Sequence, residues 1–156
     1  MVLNSQTIRN GAAIGAGLTL AVLILAPSAR AQNVLLQRQV AQGFNEFNDL
    51  IRSEGLQGVQ TAISQCYQDQ SYTPNPNTVI PCLALDQTAT IVVPVISAHL
   101  GQQTPLFFTQ SLFQNRYHPT LYRVGFPDFV VENNIMTGIR LQIDQLLANM
   151  AHKLPP

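Results

Sequence analysis

Apolar residues recur every three or four positions between residues 34 and 150, and this spacing constrains the fold more than any other feature. Residues three and four apart share one face of an α-helix, so the spacing is typical of amphipathic helices. The first two runs are Val34, Leu36, Val40, Phe44, Phe47 and Ile51, then Leu56, Val59, Ile63 and Cys66. Because Gly55 and Gly58 interrupt the pattern between them, two helices are predicted here.

Further helices are predicted in the second half of the chain. Pro81 suits a first helical turn, and the run after it is Cys82, Leu85, Ala89, Val92, Ile96 and Leu100, with Gly101 as a stop. The stretch TIVVPVIS (residues 90–97) contains enough β-branched residues to form an edge strand. The apolar run continues through it, however, and this favours a helix kinked at Pro94.

The last two helices are predicted from their end signals. Thr104 and Pro105 are expected to cap and open one helix, which the pair His118–Pro119 should end. Asp128 is expected to cap the final helix, whose apolar run is Val131, Ile135, Ile139, Ile143, Leu146 and Met150. Arg140 and Asp144 lie one turn apart and can pair. The sequence therefore predicts an all-α domain, a small bundle of about five helices.

The first 31 residues are typical of a secretory signal peptide. Arg9 precedes an uncharged apolar stretch (residues 11–26), and Ala29-Arg30-Ala31 forms a small-x-small cleavage site, so Gln32 is expected to begin the mature chain. The apolar stretch has 16 residues, fewer than the roughly 20 that span a bilayer. An uncleaved anchor is the alternative. The predicted organisation is a signal peptide (1–31) followed by one helical domain (32–156).

The chain has two cysteines, Cys66 and Cys82, on either side of the loop Pro74-Asn75-Pro76-Asn77. In an oxidising compartment an isolated pair of cysteines is typical of a disulfide. The alternative, a redox-active pair, lacks the CxxC spacing and a flanking cation. We therefore predict one structural disulfide that holds together two helices whose connection cannot order itself.

Charge and motifs exclude several classes of function. Of eight basic residues, two lie in the signal peptide, which leaves six against eight acidic residues, or −2, and excludes a strongly basic nucleic-acid surface. The sequence has no CxxCH, Walker A, GxGxxG, HExxH or GxSxG motif. The carboxylate pairs Glu46/Asp49 and Asp128/Glu132 could serve a small hydrolase, but helix ends and a neighbouring arginine explain them better. No catalytic, cofactor-binding or metal-binding residue is predicted.

Aromatic residues concentrate in one segment, where seven of the mature chain's eleven rings lie between residues 107 and 129. Tyr, Phe and Arg are the residues that anchor protein interfaces. The candidate partner interface is Phe107, Phe108, Phe113, Arg116, Tyr117, Tyr122, Arg123 and Phe126. The alternative is that most of these rings fill the core. Only 14 of 125 mature residues are charged, whereas 16 are Gln and 9 are Asn. A surface with so few charges favours a protein that is covered by a partner.

The signal ending Ala29-Arg30-Ala31, the small Gln-rich mature chain and the single cysteine pair resemble the small third subunit of the membrane-bound quinone-dependent alcohol dehydrogenase of acetic acid bacteria. The resemblance implies a periplasmic, non-catalytic accessory subunit at the outer face of the inner membrane, associated with the membrane through its partners. Those partners would be a large dehydrogenase subunit and a cytochrome c subunit, which carry pyrroloquinoline quinone and haem c for ethanol oxidation. The alternative is a free-standing periplasmic inhibitor or small-ligand binding protein that uses the aromatic segment as its pocket.

Overall fold

The structure, a computed structural model, describes the backbone of residues 29–152 and the side chains of residues 33–152. Five α-helices and one 3₁₀ turn make up this part of the chain. They are α1 (Ala29–Ser53), α2 (Gly55–Tyr72), α3 (Pro76–His99), the turn (Leu106–Phe108), α4 (Gln110–Arg123) and α5 (Phe129–Ala151). The predicted all-α fold is confirmed. The predicted signal peptide lies outside the described residues, except for Ala29–Ala31 at the start of α1.

The five helices alternate in direction, so that α1, α3 and α5 run one way while α2 and α4 return. Gln39 in α1 donates a hydrogen bond from Nε2 to the Asn77 carbonyl near the start of α3, at 2.8 Å. Four residues farther along each helix, Gly43 lies against Pro81, so the two helices are parallel. Leu36 lies beside Gly138, and farther along both helices Asn48 and Asn149 line one cleft, so α5 runs parallel to α1. We name the end of the bundle where α1, α3 and α5 begin the lower end, and the opposite end the upper end.

The helix α3 lies at the centre of the bundle and packs against each of the other elements. Its residues 82–90 are all buried, on every face of the helix. One part of the core joins α3 to α1, α4 and α5, and a second joins it to α1, α2 and the 3₁₀ turn. By length and hydropathy α3 could cross a membrane, but 67% of its apolar window is buried inside the bundle, as in the core helix of a soluble protein.

Gly43 allows α1 to approach α3 closely. A Cβ atom at this position would lie 2.3 Å from the Pro81 carbonyl oxygen and 2.7 Å from the Leu85 backbone nitrogen. Neither backbone atom can move without displacing α3. The glycine therefore fixes the separation between the two helices.

Gly43→Ala is expected to lower the free energy of unfolding by about 1–3 kcal/mol, because a methyl group forced into a packed contact displaces backbone. Chemical denaturation followed by circular dichroism measures the change. Gly138→Ala is the matched control, since its Cβ would meet only the flexible Leu36 side chain, at 3.2 Å. Alanine favours helix by about 1 kcal/mol, so the control should be neutral or stabilising. Equal effects at both positions would show that Gly43 does not limit the packing.

The cysteine pair forms the predicted disulfide between α2 and α3, with its Cα atoms 5.8 Å apart. Beyond it, toward the loop, Gln70 donates from Nε2 to Thr78 Oγ1 at 2.7 Å and accepts from the Asn75 backbone nitrogen at 3.0 Å. The bridge and this amide together hold the loop, which has only three residues outside the two helices (73–75).

Three predicted helix boundaries are wrong. The helix α3 begins at Pro76 rather than near Pro81, because Asn75 caps it by accepting a hydrogen bond from the Asn77 backbone nitrogen. Pro81 lies inside the helix and cannot donate to the Asn77 carbonyl four residues earlier. Gln39 Nε2 donates to that carbonyl instead, so the proline leaves no unpaired acceptor there.

The second and third wrong boundaries concern α4. Thr104 and Pro105 precede a 3₁₀ turn rather than the α-helix, which begins only at Gln110. The helix then continues through Pro119 to Arg123. Thr120 and Leu121 are both buried, and we attribute the continuation to the burial of this last turn, which outweighs the hydrogen bond that the proline removes.

Other predicted features are confirmed. The stretch 90–97 is helical through Pro94, and Gly101 follows the end of α3 with a positive φ of 65°. Asp128 caps α5 by accepting hydrogen bonds from the backbone nitrogens of Val130 and Val131. Arg140 Nε donates to both carboxylate oxygens of Asp144 at 3.0 Å.

Candidate functional site

The most strongly polar feature of the interior is an ion pair between α3 and α4. Asp86 is fully buried, and Arg116 donates to it from Nε at 2.8 Å and from Nη2 at 2.7 Å. This two-bond geometry matches the planar guanidinium to the carboxylate. Arg116 was predicted to lie at a partner interface, whereas no role was predicted for Asp86. The sequence does contain a signal for this ion pair. Asp86 is a lone carboxylate inside the apolar run of α3, and a buried charge needs a partner.

Aromatic rings enclose the pair. The Arg116 guanidinium lies 4.2 Å from the centre of the Phe107 ring, and Phe107 meets Phe108 edge to face. The Tyr67 hydroxyl is buried beside Asp86. Burial, and then the Asp86 charge, raise the pKa of Tyr67 well above its ordinary value. The phenol therefore stays neutral.

Burial raises the pKa of Asp86, while the hydrogen bonds and charge of Arg116 act in the opposite direction. A buried carboxylate with a raised pKa can mark a catalytic acid. Here both carboxylate oxygens bind Arg116, and Asp86 has no solvent-exposed surface that could meet a substrate. The arrangement is therefore suited to joining α3 to α4.

A second polar contact joins α4 to α5. His118 Nδ1 contacts Glu132 Oε1, and the Glu132 carboxylate is largely buried. Burial, and then the Glu132 charge, raise the pKa of the Tyr117 hydroxyl. Of the carboxylate pair considered in the sequence, Asp128 therefore caps a helix and Glu132 contacts a histidine, and the two have separate structural partners.

The structure divides the candidate interface residues. Phe108, Phe113 and Tyr117 are buried in the core, and Arg116 belongs to the ion pair. Phe107, at the upper end, and Phe126, at the lower end, are partly exposed. Tyr122 and Arg123 are exposed at the lower end. The aromatic segment thus contributes to the core and to both ends of the bundle, and it does not form one continuous surface.

Large exposed apolar side chains gather at the two ends. At the lower end, Tyr72, Tyr122, Phe129 and Val130 are each 64–78% exposed. At the upper end, Val95, Leu100 and Leu106 are 67%, 61% and 78% exposed. The lower end therefore exposes both aromatic and aliphatic side chains, the latter including Val34 and Leu35 at 60% and 52%, whereas these three residues of the upper end are all aliphatic.

Two open clefts lie away from the aromatic segment. One, of about 460 Å³, lies beside the disulfide, and its lining includes Gln42, Asp69 and Gln70. The other, of about 490 Å³, lies between α1 and α5 and includes Asn45, Asn48 and Asn149. Neither cleft includes a residue between 107 and 129, so neither is the aromatic pocket expected of a ligand-binding protein.

Within residues 33–152, no group of three or more His, Cys, Asp and Glu side chains could hold a metal ion. No family model, curated protein sequence or solved structure matches the chain.

Proposed function

We propose that this protein is a non-catalytic accessory subunit that docks onto a larger protein through the upper end of its bundle. The observation that carries the proposal is the exposure there of Val95, Leu100 and Leu106, the last at 78%. Large aliphatic side chains of this kind, on a surface with few charges, favour association with another protein.

The resemblance supplies the proposed partner, a quinone-dependent alcohol dehydrogenase with a cytochrome c subunit. In this proposal the large subunit binds pyrroloquinoline quinone, the cytochrome carries haem c, and the present chain supports their maturation, stability or attachment to the membrane. The site of action would be the periplasm, at the outer face of the inner membrane. The chain's own part in ethanol oxidation would be structural.

Co-purification from the native host tests the proposal. A tag at the carboxyl terminus, followed by gentle solubilisation of the membranes, should recover a haem-containing dehydrogenase with its cytochrome. A lone soluble monomer in the eluate would overturn the proposal and favour a free-standing binding protein. Recovery of a large partner without haem or quinone would support the docking role and exclude a quinone-dependent dehydrogenase as the partner.

Leu106→Ser is expected to weaken recovery of the partner about tenfold or more, because a buried interface leucine contributes on the order of 1.4 kcal/mol or more. Leu141→Ser is the matched control. Leu141 is also an exposed leucine, at 57%, but it lies in α5 away from the upper end. Circular dichroism should show the same helical content in both variants. Equal recovery of the partner with both variants would place the docking surface elsewhere.

A further inference from the structure

A groove lined by side-chain amides runs between α1 and α5. It consists of two open clefts, one of about 490 Å³ and one of about 300 Å³, which are continuous because Leu146 and Asn149 line both. Six amide side chains line the two clefts: Gln37, Asn45, Asn48, Gln142, Gln145 and Asn149. We name these six residues and the space between them the amide groove.

The amide groove is long and has similar walls on both sides. The amides of α5 recur at steps of three and four residues, and those of α1 at steps of eight and three. Residues at these spacings share one face of a helix. The lining of α1 extends from Gln37 to Arg52, which is about 22 Å of helix. The groove therefore offers donors and acceptors in two parallel rows.

The groove has no net charge. Among its lining residues, the charged side chains are Asp49 and Arg52, which have opposite sign and lie at the upper end. Asn45 and Asn149 are exposed. Asn48 donates from Nδ2 to the Phe44 carbonyl at 2.9 Å, which leaves its Oδ1 to accept. This chemistry favours an uncharged occupant that carries both donors and acceptors.

We infer that the amide groove binds an extended segment of another protein chain, about seven residues long, through hydrogen bonds to its backbone. Seven extended residues span about 23 Å, which matches the length of the groove. Each Asn or Gln amide has donors and an acceptor, so it complements a backbone N–H or C=O. Backbone groups on one edge of an extended chain repeat about every 6.6 Å, close to the helical repeat of 5.4 Å.

The lining favours a peptide over an oligosaccharide, whose hydroxyl groups also bind amides. Sugar rings commonly stack on an exposed aromatic face. Phe44 is the one ring among the lining residues of this groove, and it is buried, at 3% exposure. The groove is separate from the exposed aliphatic residues of the upper end, so the inference does not depend on the docking proposed there.

Nuclear magnetic resonance of the ¹⁵N-labelled protein tests the inference, because side-chain amides give their own signals. The probe is a capped peptide of alternating alanine and serine, about eight residues long. At millimolar concentration it should shift the side-chain signals of Asn45 and Asn149, at low and high salt alike, because the groove has no net charge. The same peptide with N-methylated backbone nitrogens cannot donate and should bind at least about tenfold more weakly.

Asn45→Ala/Asn149→Ala should weaken binding of the unmethylated peptide about tenfold, as expected for the loss of two neutral hydrogen bonds. The signals of Gln145 report binding in this variant. Asn133→Ala/Asn134→Ala is the matched control, since both asparagines are exposed in α5 but do not line the groove. The control should bind as the parent does, and circular dichroism should show equal helical content in both variants.

Other outcomes would overturn the inference. No shift with the unmethylated peptide, or equal affinity for the methylated one, would exclude recognition of a peptide backbone. Shifts with maltohexaose but not with the peptide would assign the groove to a carbohydrate. Equal weakening in the two double variants would place the peptide elsewhere. The experiment uses this chain alone, so its failure would leave the docking proposal, which co-purification tests, unaffected.

Discussion

Arg116→Met is expected to lower the free energy of unfolding by about 3–5 kcal/mol at neutral pH, because it leaves the buried Asp86 carboxylate without its cation. Methionine keeps most of the side-chain volume beside Phe107, so the loss reports mainly on the charge. Urea denaturation followed by circular dichroism at 222 nm measures it.

The loss should shrink as the pH falls. Burial already raises the pKa of Asp86 above its unfolded value, and Arg116 opposes that rise. A carboxyl group with a raised folded pKa favours folding below its unfolded pKa, and this contribution disappears as the pH rises through the folded pKa. Without Arg116 the folded pKa rises further. The variant should therefore lie closest to the parent in acid and furthest from it at neutral pH.

Two controls separate the ion pair from other effects. Arg123→Met removes an exposed arginine from the same helix and should change stability by less than about 0.5 kcal/mol. The double variant Asp86→Leu/Arg116→Met removes both charges and should recover most of the loss, since a buried pair can be replaced by apolar residues. If the double variant were no more stable than Arg116→Met, an unpaired Asp86 would not be the cause.

Removing the disulfide is expected to cost about 3 kcal/mol, because Cys66 and Cys82 close a loop of about 15 residues in the unfolded chain. Cys66→Ala/Cys82→Ala should therefore unfold at a lower denaturant concentration than the parent. Its helical content should remain in the absence of denaturant, since Gln70 still binds Thr78 and Asn75 across the loop.

Reduction of the parent protein should reproduce most of that loss, whereas the same reductant should leave the double alanine variant unchanged. This comparison separates the bridge from the two side-chain replacements. A parent as stable when reduced as when oxidised would show that the core and the Gln70 contacts alone order the connection between α2 and α3.

The features that the sequence predicts well depend on residues close together in the chain. The Asp128 cap forms with the next three residues, and the apolar runs place Phe44, Phe47 and Ile143 in the core. The disulfide joins residues that are only 16 apart. In each case local geometry limits the alternatives.

Features that depend on distant contacts were not predicted. Pro119 was expected to end its helix, but residues that follow it are buried against other elements. Arg116 was grouped with its aromatic neighbours, although its ionic partner Asp86 lies 30 residues earlier. Gly43 gave no signal in the apolar run because the backbone that it meets belongs to a helix nearly 40 residues later.

Asp86 also bears on how the chain behaves before it folds. The apolar helix α3 is long enough to be retained by a membrane as a spanning segment, and Asp86 is its only carboxylate, near its middle. A carboxylate at that depth raises the free energy of insertion by about 2.5–3.5 kcal/mol. The residue that needs Arg116 in the folded bundle thus opposes retention of α3 in a bilayer while the chain is still extended.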